Sequence, residues 1–336
     1  MVELKSVGIT GIGSYLPEKI LTNFDLEKIV DTSDEWIRTR TGVQERRIAG
    51  ENEACSDLAI KASIKALEDA KVNPEDLDLI IVSTITPDFA FPATAALVQD
   101  RLGAKNAAAF DLEAACSGLV YALVTGSNFI ATGMYKKVLV IGSEVLSKIT
   151  DWKDRNTCVL FGDGASAIVL EEVEKGYGIK SYDLGSDGSG GHTLDQPGGG
   201  SRNPASKETV ENRMHYLKMK GQDVFKFAIK ALPETSVKTL ERVGMVPDDV
   251  DLFVPHQANF RIISSAAKRL KVPVSKFFIN LEKYGNTSSA SIGIALDEAV
   301  KKGEIKRDDN IMLVGFGAGL TYASCLLKWS RRIKHV

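Results

Sequence analysis

LEDAKVNPEDLDLIIV at positions 67 to 82 returns, altered but in step, as LERVGMVPDDVDLFV at 240 to 254. Pro74 and Pro247 mark the same place in each and so define the offset between the two. The same offset relates KKVLVIG at 136 to 142 to DNIMLVG at 309 to 315, and a shorter one relates FGDG at 161 to 164 to FGAG at 316 to 319. The matches keep their order, and a period of about half the chain is far longer than the roughly 20 to 45 residues of a solenoid repeat. The economical reading is two similar halves, 1 to 175 and 176 to 336.

Within each half, short β-branched runs such as LIIVST, KVLVIG and SAIVLEEV alternate with longer helical patterns. In DLAIKASIKALEDA the apolar side is marked by Leu58, Ile60, Ala62, Ile64 and Leu67. This predicts α/β architecture with a buried, largely parallel sheet. The stretch 185 to 206, GSDGSGGHTLDQPGGGSRNPAS, reads as an irregular surface excursion. Gly8, Gly11 and Gly13 are spaced GxxGxG rather than GxGxxG, and no GK[ST] occurs, so they read as turn residues and not as a dinucleotide or phosphate cradle.

The composition excludes several classes. With 42 Lys and Arg against 44 Asp and Glu, a net charge of -2 gives no overall field for nucleic acid or an anionic membrane, so an anionic partner must meet a local patch. No apolar run approaches the ~20 residues of a membrane span, and the start MVELKSVGITGIG lacks the pattern of a secretion signal; a cytoplasmic location is expected. The cysteines at 55, 116, 158 and 325 form no CxxC pair and meet no clustered histidines, so neither a disulfide framework nor a metal site is indicated.

Cys116 is the cysteine with a chemical context. AAAFDLEAACSGLVYALVTGSNFIATG reads as a strand, a turn of small residues and a helix, with the thiol at the helix start. Unpaired amides and the dipole there favour thiolate, which predicts a value below the free thiol's, about 8.5. Small neighbours let a substrate carbonyl approach the backbone. Cys55, Cys158 and Cys325 read as inert small hydrophobes.

His256 follows the apolar run DLFV and Pro255, at the strand end where α/β sheets present their loops. His192, His215 and His335 read as bystanders. Asn286 sits in KYGNTSSASIGIALDEAV, a turn entering a helix, where it suits a cap. It occupies in the second half nearly the place that Cys116 occupies in the first, so a pseudo-twofold fold brings the two turns face to face. GFGAGLTYASCLLKW carries glycines at 315, 317 and 319, suited either to a plain hairpin or to a tight turn exposing backbone amides.

GSYLPE at 13 to 18, DTSDEWIRTRTG at 31 to 42, AACSG at 114 to 118, FGDGA at 161 to 165, VPHQANFRI at 254 to 262 and YGNTSSAS at 284 to 291 fall in one order. On these motifs the whole chain resembles β-ketoacyl-acyl-carrier-protein synthase III, the initiating condensing enzyme of bacterial type II fatty-acid synthesis. The resemblance implies the thiolase fold, two βαβ-rich halves in a five-layered αβαβα arrangement. It also implies an acyltransferase that joins a short acyl-CoA primer to malonyl-acyl-carrier protein with loss of CO2, through an acyl-cysteine and without cofactor or metal.

By the same resemblance Cys116, His256 and Asn286 are the catalytic three, with the backbone amides of Cys116 and Ala318 as the oxyanion hole. Ala318 departs from the glycine more usual there. Trp36, Arg40, Arg155 and Asn259 are implied for CoA, and Lys226, Gln257, Arg261, Lys268 and Arg269 for the carrier protein. Phe91 is implied as the residue limiting the acyl pocket across a homodimer interface, with neither nucleic acid nor membrane as partner. Two rival readings stay open: a different thiolase-fold acyltransferase, such as a polyketide-starter or secondary-metabolite synthase, and a non-catalytic scaffold.

Overall fold

The computed structural model describes residues 4–331; His335 lies outside them. In chain order the first half runs β1 (Val7–Tyr15), β2 (Lys19–Thr22), α1 (Asn23–Leu26), α2 (Asp34–Thr41), β3 (Glu45–Ile48), α3 (Cys55–Ala70), β4 (Leu79–Ser83), α4 (Thr94–Leu102), β5 (Ala108–Leu112), α5 (Gly118–Ala131), β6 (Lys137–Glu144) and β7 (Gly164–Glu172). The second runs β8 (Gly178–Ser186), β9 (Leu194–Asp195), α6 (Lys207–Glu211), β10 (Lys218–Met219), α7 (Gly221–Glu241), β11 (Leu252–Pro255), α8 (Phe260–Leu270), α9 (Leu281–Tyr284), α10 (Ser291–Lys301), β12 (Asn310–Gly317) and β13 (Thr321–Lys328).

Two large sheets have corresponding orders, β1-β7-β6-β4-β5 and β8-β13-β12-β11. Phe277 bridges to Phe253 of β11, at the edge where β5 lies beside β4 in the first sheet. The sheets are mixed rather than largely parallel: β4 pairs in parallel with β5 and β6, and β11 with β12, while β7 and β13 run antiparallel to both their neighbours. Strand propensity alone does not reveal direction, and the return from β12 to β13 is a tight hairpin.

Helices α5 and α10 lie between the sheets, α3 covers the outer face of the first and α7 that of the second, so five layers alternate α, β, α, β, α. Strand alternation builds this order. Leu79 and Ile81 point into the central core and Ile80 and Val82 into the outer one, as Ile311 and Leu313 do against Met312 and Val314. Burial on both faces is why these strands read as unbroken apolar runs.

Three sequence expectations change here. Gly8, Gly11 and Gly13 are not turn residues; they lie within β1, where a Cβ on Gly11 would stand 2.3 Å from the Ala66 carbonyl and one on Gly13 2.6 Å from the Ala66 nitrogen. Gly11 and Gly13 let α3 sit close on the sheet. Ile64, expected on the buried side of α3, is 44% exposed, because the helix turns it outward between buried Ser63 and Ala66. The 185 to 206 stretch is more than an excursion: it contains a 3-10 turn at Gly188–Thr193 and the short strand β9, which pairs with β10.

The duplication is sharpest where the halves meet. Ala115 and Ser288, related by the same offset as the two prolines, both adopt the left-handed conformation, at φ 47° and 45°. Each begins a one-turn 3-10 segment, Ala115–Ser117 before α5 and Ser288–Ala290 before α10. A Cβ on Gly142 of β6 would lie 2.5 Å from the Ser289 carbonyl, and one on its counterpart Gly315 of β12 would lie 3.1 Å from the Cys116 carbonyl. Each sheet thus admits the other half's turn.

Candidate active site

Cys116 occupies the middle of the first 3-10 turn and is 6% exposed. Ser117 Oγ donates to the Ala114 carbonyl at 2.8 Å and lies 2.8 Å from Thr321 Oγ1, which is itself 3.0 Å from that carbonyl. The turn is therefore braced from the last strand of the second sheet. A Cβ on Gly317 would sit 2.6 Å from the Cys116 nitrogen, so the missing side chain keeps space open in front of this amide.

Cys116 Sγ lies 3.4 Å from Ser288 Oγ. Burial pushes the thiol up to about 12, with the Ser288 hydroxyl opposing only in part. This corrects the expectation of a thiol lowered by its helix start. A helix N-terminus is worth ~2 kcal/mol at most, or roughly 1.5 pH units, less than burial raises this group.

His256 follows β11, where its N–H donates to the Val314 carbonyl at 2.8 Å. The ring meets Phe316 edge-on at 5.4 Å, and Nδ1 is 2.6 Å from Ser291 Oγ. Complete burial drives its value down from 6.5 to about 3, so the imidazole is neutral at physiological pH.

Asn286 is held through its backbone, its N–H donating to Leu160 at 2.8 Å and its carbonyl accepting from Gly162 at 3.0 Å. Its Oδ1 accepts from the Ser288 N–H at 2.8 Å. An N–H needs an oxygen there, which fixes the amide orientation and leaves Nδ2 for a ligand. Cys116, His256 and Asn286, the three residues expected from the sequence, line one cavity of about 90 Å³ together with Phe316 and Gly317.

A second, larger cavity of about 560 Å³ adjoins it, and Leu194 borders both. Its wall includes Ile85, Phe89, Leu217 and Ala318. The Gly-rich stretch that reads as solvent loop thus supplies a cavity wall. Ala318 is half-buried at the hairpin turn following Gly317.

The residues implied for CoA gather at one rim. The Arg155 guanidinium stacks 4.7 Å over the Trp36 ring and lies 3.4 Å from Asp31. Arg40 is exposed, and its carbonyl accepts from Asn259 Nδ2 at 3.1 Å; Asn259 caps α8 and borders the Cys116 cavity. Phe91 is elsewhere, 85% exposed on a loop with Phe89 at 58%.

Of the residues implied for the carrier protein, Lys226, Arg261, Lys268 and Arg269 are exposed on α7 and α8. Arg261 lies 5.8 Å from the ring of Phe225, which lines the Cys116 cavity. Gln257 is a correction. It is 1% exposed, its Nε2 donates to Pro255 and Phe278 carbonyls at 2.8 and 3.0 Å, and its Oε1 accepts from Asn280 N–H at 3.0 Å. With both ends of its amide engaged inside, it props the His256 loop.

Three residues near the site escape sequence reading. Ser288 and Ser291 hide in the serine-rich turn TSSAS, where any hydroxyl reads as a cap. Glu144 ends the apolar strand β6 as a fully buried carboxylate. Its oxygens accept from Ser289 Oγ at 2.7 Å, Thr86 Oγ1 at 2.8 Å, the Ile85 N–H at 3.1 Å and Thr84 Oγ1 at 3.2 Å, while burial raises its pKa. An acidic residue closing a run such as VLVIGSE is the one signal that could have found it. Cys55, Cys158 and Cys325 are buried free thiols, and His215 is bonded to Thr209 at 2.9 Å. Among the described residues no group of three His, Cys, Asp or Glu side chains could hold a metal, and no helix is long and apolar enough to cross a membrane.

Residues 110–188 match the family model for 3-oxoacyl-[acyl-carrier-protein] synthase III and residues 240–329 the model for its C-terminal part. The chain is 62% identical over 331 residues to the β-ketoacyl-[acyl-carrier-protein] synthase III of Caldanaerobacter subterraneus subsp. tengcongensis, covering 98% of this chain and 100% of that protein. Its counterpart in Clostridioides difficile is 56% identical over 96% of this chain and 98% of its own length. Among solved structures, the Aquifex aeolicus enzyme of that name is 49% identical with a TM-score of 0.89, covering 96% of this chain and 100% of that one. The Pseudomonas aeruginosa enzyme is 39% identical with a TM-score of 0.91, over 98% and 100%. A duplicated α/β fold, a buried cysteine turn facing a histidine and an asparagine, and near full-length identity to these proteins place the chain in the β-ketoacyl-[acyl-carrier-protein] synthase III family of thiolase-fold acyltransferases.

Proposed function

We propose that this protein starts fatty-acid synthesis by joining a short acyl-CoA primer to malonyl-acyl-carrier protein, with loss of CO2, through an acyl group carried on Cys116. The observation that carries the reading is the convergence of Cys116, His256 and Asn286 on one cavity.

In priming, the Cys116 sulfur attacks the thioester carbonyl. Because burial keeps the sulfur protonated, its proton leaves as the bond forms, and neutral His256 is the base within the same cavity. The amides of Cys116 and Ala318 receive the oxyanion, and CoA departs with the proton. In condensation, malonyl-carrier protein loses CO2 while His256 and the Asn286 Nδ2 donate to the thioester oxygen that becomes an enolate. The resulting carbanion attacks the acyl-cysteine and yields a 3-oxoacyl-carrier protein. A neutral imidazole suits this step, since it donates a hydrogen bond without transferring its proton prematurely.

The rim formed by Trp36, Arg40, Arg155 and Asn259 is assigned to CoA, where a flat ring and cations suit a purine and phosphates. The exposed cations Lys226, Arg261, Lys268 and Arg269 are assigned to the acidic carrier protein. Phe91, exposed beside an apolar cavity, supports a homodimer in which it reaches the partner's acyl pocket. The reaction belongs to the cytoplasm, and the boundary between the duplicated halves is assigned near residue 175, between β7 and β8.

A polyketide-starter role has one observation in its favour: the priming β-ketosynthase of the R1128 polyketide pathway shares 36% identity and a TM-score of 0.91. The 62% relative favours the fatty-acid reading. Intact-mass measurement after mixing with a panel of acyl-CoAs, followed by malonyl-carrier protein, tests both. The expected result is one acyl increment on the wild type, none on Cys116→Ser, and a 3-oxoacyl-carrier product. Acylation with turnover only toward another acceptor would favour the polyketide reading, and no acylation by any acyl-CoA would favour a scaffold.

A further inference from the structure

The two amides assigned to the oxyanion come from opposite halves of the chain. Cys116 lies in the turn before α5, and Ala318 in the hairpin between β12 and β13. Donors serve a developing charge best when they are fixed before the reaction begins, and a misplacement of about 1 Å costs on the order of 10²-fold in rate. The spacing of the two turns therefore has to be held by something other than the substrate.

Thr321 is the first residue of β13 and pairs across the hairpin with Gly317. Its Oγ1 is in contact with both turns at once. It lies 3.0 Å from the Ala114 carbonyl and 2.8 Å from Ser117 Oγ, which flank the nucleophile, and 3.0 Å from the Ala318 carbonyl. Ser117 donates to the Ala114 carbonyl, which leaves the single Thr321 hydrogen for the Ala318 carbonyl. The hydroxyl is also held from its own side chain. A Cβ on Gly319 would stand 2.7 Å from the Thr321 methyl, so that methyl occupies the place of the missing side chain, and a β-branched residue has little freedom at χ1.

The duplicated turn shows that the backbone does not need this bridge. Ala290 stands in the place of Ser117. Ala323 lies opposite Gly315 and Ser166 opposite the matching Gly142, so Thr321 matches Gly164. The Ser289 turn thus keeps the same left-handed start and 3-10 form without either hydroxyl. What sets the Cys116 turn apart is the reaction beside it.

We infer that Thr321 is a positioning residue whose hydroxyl sets the spacing of the Cys116 and Ala318 amides, so that both meet one carbonyl oxygen. The inference rests on the proposed function. Priming and the closing carbon–carbon bond formation both put negative charge on the oxygen of the acyl group at Cys116. Decarboxylation puts it instead on the thioester oxygen facing His256 and Asn286. A fault in the spacing falls on the first two steps and spares the third.

The test removes the hydroxyl from the full-length enzyme and follows the half-reactions separately, as acyl-mass gain from acetyl-CoA and as CO2 release from malonyl-carrier protein without primer. Thr321→Val, close in shape, is expected to slow acyl-mass gain on the order of tenfold or more while CO2 release stays within about threefold of wild type. Thr321→Ser keeps the hydroxyl and is expected to hold both within about threefold. Infrared spectra of the enzyme acetylated on Cys116, with carbon-13 at the acetyl carbonyl, supply a signature that general loosening of the fold does not imitate. Hydrogen bonds from paired amides lower the carbonyl stretch, so the band should rise in Thr321→Val and coincide with wild type in Thr321→Ser. Equal loss in both half-reactions, undiminished acyl-mass gain in Thr321→Val, or an unmoved carbonyl band overturns the inference. If Thr321→Val does not fold, Thr321→Ala takes its place, and selective loss of priming in Thr321→Ser overturns the inference in either case. A wild type that neither gains acyl mass nor releases CO2 defeats the proposed function itself, an outcome distinct from an active enzyme indifferent to the Thr321 hydroxyl.

Discussion

The Cys116 turn and the Ser289 turn are one piece of backbone used twice, each opened by a left-handed residue, each leading into a central helix and each lodged against a glycine of the opposite sheet. Under the shift that carries Pro74 onto Pro247, Cys116 corresponds to Ser289, His256 to Ser83, Asn286 to Glu113 and Gly317 to Glu144. In the first turn Gly317 leaves space before the nucleophile's amide. In the second, the corresponding place is filled by the Glu144 carboxylate, bonded to Ser289 and to the segment 84 to 86. The backbone of an acyl-transfer site is thus present twice, and what separates the working copy from the silent one is whether the space before the turn holds a void or a buried acidic side chain.

That contrast can be broken most severely by moving the thiol. Cys116→Ala with Ser289→Cys is expected to lose at least ~10³-fold in condensation and to gain no acyl mass from any acyl-CoA, because Glu144 occupies the approach to position 289. Acylation of the new cysteine would show that the Glu144 side chain is no barrier. Next in size, Asn286→Ala removes a donor that has no counterpart in the silent turn. Malonyl decarboxylation should fall by ~3 kcal/mol, or about 10²-fold, with priming less affected; equal loss in both half-reactions in stopped-flow and mass measurements would contradict the assigned role.

Glu144→Ala strands donors from Ser289, Thr84, Thr86 and Ile85 in the interior, and denaturant unfolding should report a loss of about 3 kcal/mol. A pH-dependent effect follows from His256, whose folded-state value of about 3 lies below the 6.5 it has in water. The native state refuses a proton that the unfolded chain binds, so this stability is complete above pH 6.5 and is lost on acidification toward 3, at about 1.4 kcal/mol per pH unit. His256→Gln should flatten that slope, while replacing Ser83, its counterpart without charge, should leave it in place. Least of all, Gly142→Ala should cost about 1 kcal/mol more in thermal unfolding than Gly315→Ala, since its new methyl meets backbone at 2.5 Å rather than 3.1 Å.

Features legible in the sequence are those whose signal is local. The paired prolines at 74 and 247 announce the duplication, and AACSG, VPHQANF and YGNTSSAS each carry a reactive group with its own turn chemistry. What escapes depends on distant neighbours. Gly11 reads as a turn residue because the helix that needs its missing side chain comes much later in the chain, at Ala66. Gln257 sits in a polar run beside a catalytic candidate and reads as exposed, yet Phe278 and Asn280 enclose it. The Cys116 thiol reads as acidic because a helix start is visible in sequence while the depth of burial that outweighs it is not. Glu144 is satisfied by Ser289, 145 residues later, a partner that no periodicity proposes.

Thr321, on the strand after the glycine hairpin, reaches the carbonyl of Ala114, 207 residues upstream. The geometry around the nucleophile is therefore a late product of chain assembly: a ribosome that has delivered the cysteine and its helix, but not that strand, holds an ordinary thiol. The turn that presents Cys116 is expected to reach its final geometry only when synthesis has passed position 321.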